Sequence, residues 1–227
     1  MEKNREIVVV AGATGRTGRL IVEELLNRSY QVRAMVRSAA QAGALQREGV
    51  ELAEGDLTSI DSLEKIIEGA HYLISAIGSK KPFNKEENNR VDNMGNQNLT
   101  KSALAKGVRH MVVISSIGVG NSRYAISFFF RLLMTPVLRM KEKSEEFIRS
   151  CGISYTIIRP GGLADRDLPG KTVFGEGGKI SGSVNRKEIA RVCVDALTNP
   201  SMKNRTLEVV NDATVKAELK QYIVDMK

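Results

Sequence analysis

Apolar residues fall into short unbroken runs that alternate with amphipathic stretches. Residues 7–11 form a continuous apolar run, the mark of a parallel strand buried on both faces. Residues 15–28 follow, with Leu20, Ile21, Glu24 and Leu25 at helical spacing. The same reading predicts strands over 31–36, 50–54, 71–77, 109–115, 153–158 and 205–210. Helices are predicted over 39–48, 58–68, 87–106, 138–150 and 185–197, with a further helical region before Pro136, which breaks it. Thr58, Ser59 and Asp61 are cap formers at the start of one helix, and Gly69 closes it. Asn185 is placed to cap another. The tail over 213–226 sets Val215, Leu219, Ile223 and Met226 on one helical face.

Regular β-α alternation implies a parallel sheet with helices on both faces. The expected fold class is α/β, a Rossmann-type doubly wound parallel sheet with a small C-terminal substructure after Pro160. No repeat or linker interrupts residues 1–227, which read as one domain.

The first strand runs into "VVVAGATGRTGR" over residues 8–19. Gly12, Gly15 and Gly18 stand where a strand turns into a helix, the context in which such spacing binds a dinucleotide. Gly12 permits the turn, Gly15 lets a pyrophosphate approach the backbone, and Gly18 lets the helix lie close to the sheet. Thr14, Arg16 and Thr17 lie in the same loop, whose free N–H groups face the anion. An NAD site places an acid about 20 residues on, at the end of the second strand. Here that position holds Arg37 and Ser38. An arginine there attracts a 2′-phosphate through charge-assisted bonds, and Arg16 is placed to share it. The expected cofactor is NADP, ahead of NAD. Asp56, at the end of the third strand, can accept an amino-group hydrogen bond.

Composition narrows the partners. The chain is 42% hydrophobic and 26% charged, an ordinary globular balance. Aromatics make up 5% and Trp is absent, which argues against a stacking surface for single-stranded nucleic acid. The formal net charge of +8 reads either as an anionic partner or as a solubilising surface. Cys151 and Cys193 make no disulfide framework. The start "MEKNREIVVV" enters a strand directly, so the expected compartment is the cytoplasm. His71 and His110 each begin a strand, away from the edge where ligands bind, and no Cys/His/carboxylate cluster has metal-ligand spacing, so no metal is expected. The stretch "AISFFFRLLMTPVL" over 125–138 is too short to span a bilayer; it reads as core, as a subunit or partner contact, or as a membrane-touching patch.

These pieces together resemble atypical short-chain dehydrogenase/reductases of the NmrA-like NAD(P)-binding type. The matching segments are GATGRTG at 12–18, VRS at 36–38, GDL at 55–57, AIG at 76–78, VDNMGNQNL at 91–99, GVRHMVVISSIG at 107–118 and SEEFIRSCGISYTIIRPGGL at 144–163. The likeness is strongest to the branch that includes the NAD(P)-binding module of a chloroplast import-complex subunit and bacterial relatives. It implies that Asp56 and Leu57 contact adenine, that Ala76, Ile77 and Gly78 line ribose and phosphates, and that Ser115 lies beside the nicotinamide. It also implies a catalytic Tyr four residues before a Lys. The lysine position falls on Lys141, and Val137 stands where the tyrosine belongs.

A valine cannot protonate the alkoxide that carbonyl reduction creates. Flavin- and quinone-like acceptors are reduced to groups that water can protonate, so they need orientation more than an acid. Ser115 and Lys141 are the candidate catalytic residues. Glycine-rich walls over 78–81, 116–121 and 161–167, with Lys80, Lys81 and Arg166, suit an anionic or planar acceptor. Two functions remain in view: a reductase of such an acceptor, and a cofactor-sensing regulator acting through a protein partner, as monomer or homodimer. Net charge alone supports a nucleic-acid or membrane-surface role. Nucleic acid is not expected, and peripheral membrane contact is the weaker expectation.

Overall fold

The computed structural model describes residues 6–38, 40 and 42–226. Strands β1 (Ile7–Ala11), β2 (Gln31–Val36), β3 (Val50–Glu54), β4 (Tyr72–Ser75), β5 (His110–Ile114) and β6 (Tyr155–Pro160) pair in parallel. Strand β10 (Arg205–Asn211) extends the parallel set beside β6. Strands β8 (Thr172–Gly175) and β11 (Ile223–Val224) complete a nine-stranded sheet in the order β11-β8-β10-β6-β5-β4-β1-β2-β3. β8 runs antiparallel to both of its neighbours. β7 (Gly162–Ala164) and β9 (Ser183–Asn185) form a separate two-stranded ribbon. The succession 3-2-1-4-5-6 is that of a doubly wound dinucleotide-binding sheet, with its topological switch between β1 and β4.

Period-two alternation in β1 divides the core. Val8 and Val10 face α1 (Arg16–Asn27) and α6 (Arg186–Asp195), burying Ile21, Leu25, Ile189 and Cys193. Val9 and Ala11 face α2 (Ile60–Ile67), α4 (Asn96–Ala105) and α5 (Phe128–Ser150), burying Leu63, Ile67, Leu99 and Ile148. Ser59 caps α2 by accepting from the Ser62 amide, and Asn185 caps α6 by accepting from the Lys187 amide.

Four local expectations change. Among the described residues of the helix predicted over 39–48 there is no α-helix, and Gly43–Leu45 form a 3-10 turn; Gly43 adopts φ +46°, which a continuing α-helix does not allow, and residues 39 and 41 lie outside the described residues. Pro136 does not break α5, which runs unbroken for 23 residues. The Thr135 hydroxyl donates to the Arg131 carbonyl at 2.7 Å, and Leu132, whose carbonyl loses its donor at Pro136, is an exposed residue. The tail is no helix: it forms 3-10 turns and then β11, so that Ile223 joins the sheet edge opposite Gly175. The long helix predicted over 87–106 is composite. A short α3 (Lys85–Asn88) passes through a π-helical segment, Asn89–Gly95, into α4. The wider turn sets Asp92 inward with no exposure.

Candidate functional site

A cleft of about 770 Å³ opens at the carboxyl ends of β1–β4, at the switch point of the sheet. Gly12 turns out of β1 with φ +82°, and a Cβ built there would stand 2.6 Å from the Ala76 carbonyl oxygen. The Gly15 amide donates to the Gly12 carbonyl at 3.0 Å, closing the turn. A Cβ on Gly18 would stand 2.1 Å from that same oxygen, so only glycine lets α1 approach β1 this closely. No side chain caps α1, and no acid lies in its first turn. Its opening amides and the positive end of its dipole are therefore available to an anion.

The cleft is lined by Gly12, Thr14, Gly15, Arg37, Asp56, Leu57, Ala76, Ile77 and Gly78. Asp56 accepts from the Thr58 amide at 2.9 Å, and the hydrogen bonds from Thr58 hold its carboxyl below the usual carboxylate range. Arg16, Thr17, Gly18 and Ser38, also assigned to the nucleotide from the sequence, are not part of this lining. Arg16 reaches across the loop to pair with Asp165, which also binds Arg186 at 2.6 Å. The Ser38 hydroxyl accepts from the Ala40 amide at 3.3 Å. Sequence reasoning did not assign Arg19, Glu54 or Arg90 to the nucleotide site, yet all three line it, and Lys80 lies there too. Arg19 carried a signal, since it follows Gly15 by one helical turn. Arg90 carried none, because only the π-helical segment decides which side of its helix meets the cleft.

A family profile described as NAD(P)H-binding matches residues 12–200. The chain belongs to that family. It is an atypical short-chain dehydrogenase/reductase-like protein, and its mostly parallel, helix-flanked sheet is of the Rossmann class. An uncharacterised chloroplastic protein of Arabidopsis thaliana is 34% identical over 212 residues, covering 89% of this chain and 76% of that one. Protein TIC 62 of Pisum sativum, chloroplastic, is 30% identical over 237 residues; the match takes in 93% of this chain but only 44% of TIC 62. Sanguinarine reductase of Eschscholzia californica is 28% identical, with 89% and 88% of the two chains covered. Among solved structures, ChuY of Escherichia coli O157:H7, titled an anaerobillin reductase, superposes with a TM-score of 0.80 at 22% identity, covering 93% of this chain and all of its own.

Within this family fold, Ser115 and Lys141 meet the same face of α5. Lys141 and Glu145 are one helical turn apart. Lys141 Nζ lies 2.9 Å from Asp92 Oδ1, while Asp92 Oδ2 accepts from the Ser79 amide at 3.1 Å, just beyond Gly78. Ser115 donates to Glu145 Oε1 at 2.5 Å. Glu145 also takes Arg159 Nε at 3.1 Å and Nη2 at 2.6 Å, a buried fork. Arg159 Nη1 then stands 3.6 Å from Glu208. Burial pushes the Glu208 carboxyl up to about 7, against the opposing pull of the Gly178 amide and Arg159. Neither Ser115 nor Lys141 lines the cleft itself. Val137, one turn before Lys141, is buried.

No tyrosine lines the cleft. Tyr124 is exposed and stacks with Arg123 and Arg131 instead. Both histidines lie at the amino ends of their strands. The His71 ring accepts from the Ile7 amide at 3.1 Å, and His110 lies between the hydroxyls of Ser154 and Thr156. Among the described residues no group of three His, Cys, Asp or Glu side chains is arranged to hold a metal ion.

Proposed function

We propose that this protein is an NADP(H)-dependent oxidoreductase that passes hydride to a flavin- or quinone-like acceptor. The observation that carries the reading is the buried Val137 one turn before Lys141, with no tyrosine in the lining of a cleft otherwise suited to a dinucleotide. The Gly12–Gly18 loop and the opening of α1 hold the pyrophosphate. Arg37, with Arg19 nearby, takes the 2′-phosphate, and Asp56 with Leu57 takes the adenine. Glu145 fixes the Ser115 hydroxyl, and Asp92 fixes the Lys141 ammonium, so both groups are held in a set orientation. Bound NADPH supplies a hydride. No tyrosine lines the cleft to protonate an alkoxide, and the proton that a flavin or quinone needs comes from solvent. The relative named sanguinarine reductase supports reductase chemistry.

The test is steady-state oxidation of NADPH against a panel of flavins, quinones, aldehydes and ketones. Turnover confined to flavins or quinones is the expected result, and efficient carbonyl turnover contradicts it. A second reading, an NADP(H)-sensing regulator, draws on the ion pair that occupies Lys141 and on the likeness to TIC 62. It predicts tight binding of NADP(H) with no turnover of any acceptor.

A further inference from the structure

We propose that the amino-terminal end of α5 is a docking tip for an anionic lipid bilayer. Phe128, Phe129, Phe130, Leu132 and Leu133 all lie on the outside of the protein; Phe129 is 82% exposed and Leu132 65%. At about 100° per residue these five cover an arc of about 200° around the helix. An exposed apolar surface of this kind marks an interaction site. A flat protein surface covers one side of a helix, whereas the interfacial layer of a bilayer surrounds a protruding tip on every side.

Charge selects the kind of surface. From residue 120 to residue 140, across the loop and the first half of α5, the chain has three Arg, Arg123, Arg131 and Arg139, and no Asp or Glu. Arg123, Arg131 and Arg139 line a groove of about 310 Å³ between α5 and the preceding loop, with Glu142 the one carboxylate in its lining. The guanidinium of Arg131 stacks 5.1 Å from the Tyr124 ring and 5.4 Å from that of Phe128, and Arg123 stacks 5.3 Å from Tyr124. These contacts hold the charges at the rim of the apolar arc, at the depth of lipid phosphates when the rings enter the interface. A second copy of the chain on the same face would bring the arginines together in a self-complementary contact, where like charges repel. No described helix is long and apolar enough to cross a membrane, so the contact is interfacial.

The chain contains no Trp, so Phe129→Trp places one reporter at the tip. The full chain is sedimented with phosphatidylcholine vesicles and with vesicles of equal parts phosphatidylcholine and phosphatidylglycerol, and F129W emission is recorded with each. The expected result is binding to the anionic vesicles with a blue shift, weakened by salt. Arg123→Gln and Arg131→Gln should each lower the affinity about fivefold. Phe129→Glu with Leu132→Glu should abolish it while circular dichroism stays unchanged. Equal binding to neutral vesicles, no binding to either, or an unshifted F129W emission overturns the proposal. So does a dimer in light scattering that Phe129→Glu dissociates, which would assign the face to a second copy. None of these outcomes depends on NADPH oxidation.

Discussion

Lys141 is the ionic partner of Asp92, a carboxylate with no solvent exposure, at 2.9 Å across the gap between α5 and the π-helical segment. The pair ties the candidate catalytic helix to the loop after β4, because Asp92 also receives the Ser79 amide. Removing one member of a buried pair leaves the other charge uncompensated, at a cost of about 3–5 kcal/mol. Lys141→Met should therefore destabilise strongly, since Asp92 cannot reach water. Asp92→Asn should cost less, because the Lys141 side chain retains 14% exposure. The double variant should be more stable than Lys141→Met alone. Urea denaturation of the three variants gives the coupling, and additive losses would show that the pair is not a unit.

The glycine loop separates a packing role from a binding role. A methyl on Gly18 would meet the Gly12 carbonyl at 2.1 Å, backbone against backbone, so Gly18→Ala should lower the melting temperature whether or not nucleotide is present. At Gly15 the nearest contact of a Cβ is 3.2 Å, and the residue lines the cleft. Gly15→Val should leave the circular dichroism spectrum near wild type and remove calorimetric binding of both NADPH and NADH. A folded Gly15→Val that binds normally would remove the glycine loop from the site.

The elements that rest on long apolar periodicity were legible in the sequence. β1, α1 and the caps at Ser59 and Asn185 follow directly from residue type and spacing. What was not legible depended on contacts distant in the chain. Nothing in "SFFFRLLMTPVL" says that the helix will run on through Pro136. Nor does the sequence show that a π-helical turn will aim Asp92 at Lys141, or that Glu145 will take Ser115. The nucleotide loop is local in sequence and could be read there. The Ser115–Glu145–Arg159 network joins three separate elements and could not. The stretch over 125–138 had core among its readings, and its phenylalanines lie outside instead.

Cofactor choice turns on Arg37. The cleft lining includes Arg19, Arg37, Lys80 and Arg90 against Glu54 and Asp56, and no carboxylate follows β2 directly. Wild type should bind NADPH at least about tenfold more tightly than NADH, the worth of one charge-assisted pair. Arg37→Asp should erase or reverse that preference, mostly by weakening NADPH. Calorimetric titration of both nucleotides measures it, and equal wild-type affinities would contradict the assignment.

Two buried groups should give stability opposite dependences on pH. Burial depresses His110 to about 4, below its ordinary 6.5. The unfolded chain then binds the extra proton, so stability is fully present above about pH 6.5 and is lost as pH falls toward 4. Glu208 is raised by burial to about 7 from an ordinary 4.5, and here the folded chain holds the proton. Its contribution is fully present below about pH 4.5 and is lost as pH rises through 7. Over the shared range the two slopes oppose each other, each on the order of 3 kcal/mol across its full window. Glu208→Gln should remove the falling limb, so that stability climbs with pH more steeply than in wild type. Gln also retains an oxygen for the Gly178 amide, which Glu208 accepts at 3.2 Å. His110→Gln should remove the rising limb, so that stability falls with pH relative to wild type. Urea midpoints at pH 4.5, 5.5, 6.5 and 7.5 read both slopes, and parallel profiles for wild type and Glu208→Gln would show that Glu208 titrates alike in the folded and unfolded chains.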